Sequence, residues 1–354
     1  YVTNSGHNEV AVINAATRKV IGDIPTGWYP TQVLAHDGKL SITSAKGLGA
    51  GPNNGPGHPN PTDPRDTAEN QYSGSMIKGL LSTVSEPDAA TLAKLTATVE
   101  KNNTANDPAR SSAVPNQIGT TSSKIKHVIY IVRENRTFDQ ELGSNGRGNA
   151  DPSLNLFGEE SAPNTRALAR QFTTFDNFYA DAEVSANGWN WVSQANSNPW
   201  SEEMWPSNYS GRGAPYPAES NDPDSRAKEH DSYFWEHLSK NNISFRNYGF
   251  YTTLDKKGKA HGVDKKILDP NTDHDFIGWS LDCPDSARSF APMAKNCGPK
   301  SRVDEWKSDF NKQLAKGSVP TVQLVRFGND HTQATKVGVP TPQAYVADND
   351  QAIG

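Results

Sequence analysis

The sequence IKHVIYIVRENRTFD occupies residues 125–139 and decides the fold of the chain. Its first half is a compact apolar run rich in β-branched residues, which predicts a strand buried on both faces, as in a parallel sheet. Its second half places Glu134 and Asn135 directly after that strand. Because ligand sites of open α/β sheets lie at the carboxyl ends of the strands, we expect these two side chains to belong to a site.

The segments after this stretch alternate helix-like and strand-like patterns. The apolar spacing predicts helices over 165–172, 232–241 and 302–314, and strands over 244–249 and 321–326. Alternation of this kind predicts a layered α/β domain, which we assign to residues 124–354.

Residues 1–85 have a different pattern, in which short strands alternate with polar turns. Val10 and the strand that ends at Ile24 belong to a predicted hairpin that turns at 15–19, and a second pair, 30–34 with 39–44, turns at 36–38. Another strand is predicted over 75–84. Within residues 86–123 we predict a helix over 87–103, followed by a polar linker.

Composition and charge exclude several classes of partner. The chain has 354 residues and a formal net charge of -5, with no polybasic tract, so nothing predicts a nucleic-acid partner. The longest apolar run, 128–132, is far shorter than the roughly 20 residues that cross a bilayer. Eight Trp, eleven Tyr and twelve Phe argue against disorder, which is typical of chains poor in aromatic residues.

Two cysteines, Cys283 and Cys297, lie 14 positions apart. They form either a disulfide or two free thiols, and the disulfide is the preferred interpretation. A loop of this length would gain about 3 kcal/mol from closure, in an oxidising compartment. We therefore expect an extracytoplasmic protein, periplasmic or secreted, whose signal peptide is not in this sequence.

The N-terminal pattern resembles a known repeat. Tyr1-Val2-Thr3-Asn4, then Val10-Ala11-Val12-Ile13 and Ile24-Pro25-Thr26-Gly27, are similar to one blade of a YVTN-type β-propeller. Propellers close with about four to eight blades. The resemblance therefore implies a partial propeller of one or two blades over residues 1–85, with the other blades upstream of Tyr1.

The stretch that opens the second domain also carries a resemblance. Ile125-Lys126-His127-Val128, running into Glu134-Asn135-Arg136-Thr137-Phe138-Asp139, is similar to the opening of the bacterial phospholipase C and acid phosphatase phosphoesterases of the alkaline-phosphatase-like superfamily. On the residues alone, a solvated charged loop is the simpler interpretation. The resemblance implies an alkaline-phosphatase-like layered α/β domain in which Glu134 and Asn135 bind a divalent metal ion.

A second candidate is Ser185, in a small Gly-bearing turn after a strand-like apolar stretch. A serine in a turn is ordinarily a turn or capping residue. The resemblance implies instead that Ser185 is the nucleophile, since it follows Glu134 by about 50 residues. One position departs from the family pattern: Trp189 occupies the place of the histidine in the Gly-His-Asn-Trp sequence of propeller-linked relatives.

A third candidate is Asn329-Asp330-His331-Thr332, after the strand predicted over 321–326. Alone it indicates a turn with a surface histidine. Together with Ala347-Asp348-Asn349-Asp350 it resembles the same family, which implies that His331 faces phosphate or acts as an acid or base. We expect Asp348 and Asp350 to cap the helix that begins near them. Asp273-His274-Asp275 has metal-ligand chemistry, but its Pro/Asn-rich surroundings favour an ordinary loop.

These features predict metal-dependent hydrolysis of phosphate esters through a serine nucleophile. Phosphomonoesters and diesters, including phospholipid head groups, remain open as substrates. Superfamily members complete the metal site near their C-terminus with acidic pairs that this sequence lacks, so we expect it to be a fragment of a longer protein. The alternative is a non-catalytic surface or binding protein that contains a propeller and a decayed phosphoesterase domain, which Trp189 favours.

Overall fold

The computed structural model of the chain describes residues 1–49, 77–103, 124–219, 233–286 and 297–354. The chain divides into two compact units, Tyr1–Ser112 and Ala113–Gly354. It is a mixed α/β protein, which confirms the predicted class at that level. No sheet formed by the described residues closes into a barrel or a propeller ring.

The first unit contains two antiparallel sheets of three strands each. The first sheet has the order β1-β2-β3 and the second β4-β5-β6. Their bounds are β1 Val2–Asn4, β2 Glu9–Asn14, β3 Lys19–Pro25, β4 Pro30–His36, β5 Lys39–Ser44 and β6 Leu80–Ser85. Both predicted hairpins are confirmed. Of the strand predicted over 75–84, positions 75 and 76 lie outside the described residues.

Helix α1, Ala89–Asn103, packs on this unit and confirms the helix predicted there. The shared apolar cluster consists of Val10, Ile24, Leu40, Ile42 and Leu92. The close approach of α1 to β3 depends on Gly22, because a Cβ at that position would lie 2.6 Å from Leu92 Cγ. The hydroxyl of Thr96 also accepts a hydrogen bond from the Asp23 amide at 2.9 Å. The linker at 104–123 lies outside the described residues.

The second unit is built on a parallel sheet of three strands in the order β7-β11-β8. These are β7 Val128–Arg133, β11 Val322–Phe327 and β8 Phe245–Tyr248. All six residues of β11 are buried. The prediction that β7 is buried on both faces is wrong, since Val128, Ile129 and Ile131 are 47, 43 and 41% exposed. Among the described strands β7 pairs only with β11, so it lies at the edge while β11 takes the centre.

Two apolar clusters lie on the opposite faces of β11. Alternate strand residues point to opposite faces, so Leu324 joins one cluster while Val325 and Phe327 join the other. The larger cluster is rich in aromatic rings, among them a stacked pair, Tyr233 and Trp235, whose centroids are 4.4 Å apart. The central strand β11 is therefore covered on both faces, as the layered prediction requires.

Seven helices and a hairpin complete the described part of this unit. The helices are α2 Phe138–Leu142, α3 Pro163–Gln171, α4 Ser185–Gln194, α5 Pro199–Tyr209, α6 Phe234–Lys240, α7 Arg302–Ala315 and α8 Pro342–Ile353. The hairpin pairs β9, Thr252–Leu254, with β10, Ala260–Gly262. The three predicted helices correspond to α3, α6 and α7, although position 232 lies outside the described residues. None of the described helices is long and apolar enough to cross a membrane.

The two cysteines form the predicted disulfide. Cys283 and Cys297 are bonded, with their Cα atoms 5.2 Å apart. Both are buried and pack with Ile277 in a small cluster of their own. The bond therefore joins the segment that carries Trp279 to the residues that precede the helix Arg302–Ala315.

Candidate functional site

The candidate site is organised around Arg326, near the carboxyl end of β11. Arg326 is only 3% exposed. Its Nε donates to Glu134 Oε1 at 3.1 Å, and its Nη2 donates to the same oxygen and to Glu219 Oε2, which is 2.9 Å away. The parallel register pairs Phe327 with Arg133. Glu134, one residue beyond β7, therefore reaches the same sheet edge as Arg326.

Two tryptophans enclose this guanidinium. Its central carbon lies 4.4 Å from the ring centroid of Trp189 and 4.5 Å from that of Trp279. Cations are attracted to the faces of aromatic rings, most strongly where water is excluded. The Arg326 side chain is thus fixed by carboxylates at its edge and by indole rings near its faces.

The electrostatics of the cluster are those of one cation shared by two carboxylates. Burial acts to lower the pKa of Arg326, but the charges of Glu219 and Glu134 outweigh it and raise that pKa, so the guanidinium stays charged. Burial raises the pKa of Glu219, and repulsion from Glu134 adds to the rise against the attraction of Arg326. Glu219 also accepts a hydrogen bond from the Tyr216 hydroxyl at 3.0 Å.

Glu134 and Asn135 are the predicted metal ligands. Glu134 is buried, whereas Asn135 is exposed. Both Arg326 bonds end on Glu134 Oε1, so Oε2 has no hydrogen-bond partner within the described ranges. In those ranges Glu134 belongs to no group of three His, Cys, Asp or Glu side chains with convergent ligand atoms. A hard divalent cation takes about six to eight ligands, so these two residues suit such an ion but do not complete its shell.

Ser185 lies at the start of a helix. The prediction of a turn is wrong here, because Ser185 is the first residue of the ten-residue helix α4 and Gly188 lies inside it. Val184, at the N-cap, provides no side-chain cap. The first amides of a helix and its dipole favour an anion at this end. Ser185 is partly exposed, so its hydroxyl lies at the positive end of α4 within reach of solvent.

Trp189 connects that helix to Arg326. Residues four apart lie on one face of a helix, so Ser185 and Trp189 share the face of α4 that meets the guanidinium. Trp189 is buried, and its ring meets Phe250 edge to face with centroids 5.2 Å apart. Trp189, the position that departs from the resembled motif, is therefore part of the core, and its indole covers Arg326.

His331 ends the 3-10 turn Asn329–His331 that follows β11. Its Nδ1 lies 2.9 Å from the Thr332 carbonyl oxygen. Because a carbonyl oxygen only accepts, Nδ1 carries the proton and Nε2 keeps a lone pair. The ring meets Trp279 edge to face at 5.2 Å. Arg136 holds the turn by donating to the carbonyl oxygens of Asp330 and His331, at 2.8 and 2.6 Å.

The structure thus brings the three predicted regions together to different degrees. Glu134 bonds Arg326 directly. Trp189 links the helix of Ser185 to Arg326, and Trp279 links His331 to it. Asn135 makes no described contact with this cluster. Of the four predicted site residues, only Glu134 therefore contacts this guanidinium, which was not predicted.

Two buried acids, Glu141 and Asp330, lie beside the guanidinium of Arg133. Arg133 Nη1 bonds Glu141 Oε2 at 3.1 Å, and its Nη2 is 3.4 Å from Asp330 Oδ1. Burial raises the pKa of Asp330 to about 8, a rise that Arg133 only partly offsets and that Glu141 reinforces. Burial acts in the same direction on Glu141, but Arg133 and the hydrogen bonds around it hold the pKa of Glu141 below its usual value. At neutral pH the shared proton therefore resides on Asp330.

The acidic residues of the 347–350 segment do not cap their own helix. That prediction is wrong, because α8 begins at Pro342 and the N-cap is Thr341. Asp350 instead caps α3, accepting from the Asn164 and Thr165 amides at 2.9 and 2.7 Å. A carboxylate at a helix start satisfies amides that have no intrahelical partner.

Asp348 and Asn349 fix two other segments. Asp348 accepts from the amides of Asp285 and Ser286 at 2.7 and 3.0 Å. Asn349 accepts from Arg133 Nε at 2.6 Å and donates to Asp285 Oδ2 at 2.9 Å. All three polar residues of the segment are buried. These side chains hold neighbouring segments in place, and none of their described hydrogen bonds reaches the Arg326 cluster.

Sequence reasoning missed Arg326, Glu219 and Trp279. The sequence contains one indication of Arg326: it is a charged residue within the otherwise apolar pattern of a predicted strand. A long charged side chain in a buried strand needs partners, because an unpaired buried charge is costly. Glu219 and Trp279 lie in irregular segments without such a signal.

Comparison with models of known protein families, with curated proteins and with solved structures finds no match to this chain. The phosphoesterase and propeller resemblances stay predictions that rest on the motifs.

Proposed function

We propose that the protein hydrolyses phosphate esters in a metal-dependent reaction with Ser185 as the nucleophile. One observation supports this proposal above the others. Glu134 and Trp189 of the helix that begins at Ser185 contact the buried guanidinium of Arg326, and His331 contacts Trp279, the second ring beside it. The motifs that suggested a phosphoesterase are far apart in sequence, and each has a residue in this chain of contacts, which supports the proposal.

In this proposal Ser185 attacks phosphorus while the ester oxygen leaves with its electron pair. The amides at the start of α4 stabilise the negative charge on the phosphoryl oxygens. Water then attacks phosphorus of the serine-bound intermediate and restores the hydroxyl, releasing inorganic phosphate from a monoester substrate or a phosphomonoester from a diester. The position of Ser185 at the positive end of a helix suits this role.

His331 provides a proton carrier. Its Nε2 lone pair accepts the proton of the attacking hydroxyl and returns it to the departing alkoxide. Proton transfer by a positioned side chain is typically worth about 10²–10⁴ in rate. Arg326 acts as a positioning residue, because its bonds to Glu134 and Glu219 already occupy its donors on that side.

Glu134, through Oε2, and Asn135 would be two ligands of the divalent ion. When bound, such an ion lowers the pKa of a coordinated hydroxyl and neutralises charge on the phosphate. The bonds from Arg326 hold the Glu134 carboxylate in place through Oε1, and no described residue bonds Oε2. The substrate class is a phosphate monoester or diester, including phospholipid head groups. The disulfide supports an extracytoplasmic location, because such bonds persist where the surroundings are oxidising.

Two observations favour a second candidate, a non-catalytic surface or binding protein. Trp189 replaces the family's histidine, and its indole is committed to the core. Arg326 also competes with a metal ion for Glu134. The propeller-like first unit would then provide the binding surface.

The two candidates are separated by turnover of p-nitrophenyl phosphate and bis-p-nitrophenyl phosphate by the full-length protein, with and without a chelator. The proposal expects turnover that chelation abolishes and added divalent metal restores. Ser185→Ala should lower kcat by roughly a hundredfold or more, as loss of an essential catalytic group does. Ser210→Ala, at the exposed end of α5, is the matched control and should leave kcat unchanged.

Equal turnover by the wild type and Ser185→Ala would overturn the nucleophile assignment. Absence of turnover of both substrates, in metal-supplemented and folded protein, would favour the non-catalytic candidate. Acid quenching during turnover, followed by peptide mass spectrometry, adds a direct test. Phosphate should be found on Ser185 in the wild type and should not be found on that peptide in Ser185→Ala.

A further inference from the structure

A second cluster of metal-ligand side chains lies around the β9–β10 hairpin. His261 is in β10, Asp269 begins the 3-10 turn Asp269–Asn271, and His274 follows in the next loop. One ligand atom from each of the three lies within 4.8 Å of the other two. Neither the phosphoesterase resemblance nor the proposed reaction uses these residues.

The spacing of the first two ligands fits a tetrahedral ion. His261 Nδ1 lies 3.2 Å from Asp269 Oδ1. With metal–ligand bonds of about 2.0–2.1 Å and tetrahedral angles, two ligand atoms lie about 3.3 Å apart. The rings of His261 and His274 have centroids 4.5 Å apart, so the third ligand is adjacent. An ion can therefore enter with small movements of the side chains.

The outer nitrogen of each imidazole also has an acceptor. His274 Nδ1 is 2.6 Å from the Ala260 carbonyl oxygen, so Nδ1 carries the proton and Nε2 keeps the lone pair. Without an ion, His261 Nδ1 donates to Asp269 Oδ1, so an ion that binds there must displace this proton; Nε2 then faces Asp255 Oδ2, 3.7 Å away. Histidines that bind metals usually donate their second N–H to a carbonyl or carboxylate in this way.

The backbone holds Asp269 against the hairpin. The Gly262 amide donates to Asp269 Oδ1 at 2.8 Å. A Cβ at Gly262 would lie 2.7 Å from the Asp269 nitrogen, so the approach requires glycine. Among the described residues, Lys265 pairs with the Asp269 carboxylate; its Nζ is 3.7 Å from Oδ2 and its side chain is largely exposed. Lys265 can turn into solvent when an ion takes its place.

We propose that His261, Asp269 and His274 bind one divalent transition-metal ion, of the kind that zinc represents. Two imidazoles and a carboxylate favour zinc over magnesium or calcium, which prefer all-oxygen shells. Three protein ligands leave a fourth position for water. The bound ion would join the hairpin to the loop that follows it. This site is independent of the oxygen and amide ligands Glu134 and Asn135.

The test uses the full chain after chelator treatment and dialysis. Cobalt(II) reports the geometry through the intense visible absorption of tetrahedral sites, and competition with a chromogenic chelator measures the zinc affinity. We expect one equivalent of zinc to be lost in His274→Gln and His261→Gln, with affinity at least about tenfold weaker. His237→Gln, on the exposed side of α6, is the matched control and should bind as the wild type does.

Two further variants make the outcome decisive. Asp255→Asn should weaken zinc binding while the tetrahedral cobalt spectrum is kept. This variant keeps all three ligands, so it tests the site even if a histidine variant fails to fold. Glu134→Gln should keep both spectrum and affinity, even if it abolishes phosphatase turnover. Wild-type zinc affinity in His261→Gln and His274→Gln, or loss of the spectrum in Glu134→Gln alone, would overturn the proposal.

Discussion

Replacing Arg326 by methionine should be among the most damaging single changes in the second unit. Arg326 is buried, donates to Glu134 at 3.1 Å and pairs with Glu219 at 2.9 Å. Methionine keeps the apolar stem between the indole rings but leaves two carboxylates without their cation. Removing one partner of a buried ion pair costs about 3–5 kcal/mol, because the remaining charge cannot be hydrated. We expect Arg326→Met to lose about that much at neutral pH.

Two companion variants test the physical cause. Glu219→Gln in the Arg326→Met background removes one of the stranded charges and should recover part of the loss. Arg326→Lys keeps the charge but lacks the planar fork that reaches both carboxylates, so its loss should be intermediate. A merely steric explanation predicts no recovery in the double variant.

Denaturant unfolding followed by tryptophan fluorescence is the appropriate assay. Seven of the eight tryptophans lie in the second unit, so the signal reports that unit almost exclusively. An Arg326→Met protein within about 1 kcal/mol of the wild type would refute the reasoning, since exposed pairs are worth that little. A double variant less stable than Arg326→Met would refute it as well.

Three other predictions concern the support of the site. Burial raises the pKa of Asp330 from 3.8 to about 8, so the native state keeps a proton that the unfolded chain has lost. The free energy of unfolding should therefore fall as pH rises from about 4 to about 8, and Asp330→Asn should flatten this slope; an unchanged slope in urea titrations would contradict the assignment. Replacing Cys283 and Cys297 by alanine should cost about 3 kcal/mol, and reductant should then have no further effect on the unfolding midpoint. Asp350→Ala should cost about 1–2 kcal/mol through loss of the α3 cap, whereas an unchanged midpoint would show that water replaces it.

The order of the strands is the part of the fold that could not be predicted. The apolar run at 128–132 looks more buried than β11, which contains Gln323 and Arg326. Yet β11 is central, because its polar side chains find partners; Gln323, for example, accepts from Trp306 Nε1 at 2.7 Å. Strand patterns show apolar content, whereas position in a sheet depends on the crossovers and on such distant partners.

The candidate site was predictable to the extent that local rules apply. Glu134 follows a strand, and a strand end is a favoured place for ligand residues, so its position at the sheet edge followed from the pattern. The role of Asp350 did not, since its amide partner Thr165 is 185 positions away. Capping rules describe neighbours in sequence, and they cannot show a cap supplied by another helix. Arg326 was missed for the same reason, because its enclosure depends on Trp189 and Trp279.

The polar residues behind the site also set an order of assembly during synthesis. Arg133 is separated by 216 positions from Asn349, the side chain that bonds its Nε. At ribosomal rates of about 5–20 residues per second, Arg133 waits roughly 10–40 s for that partner. Glu141, eight positions away, can pair with the guanidinium early. The strand partner β11 comes much later, so the apolar residues of β7 stay open to association with other chains. The nascent second unit is therefore a natural client for chaperones until its last helix emerges.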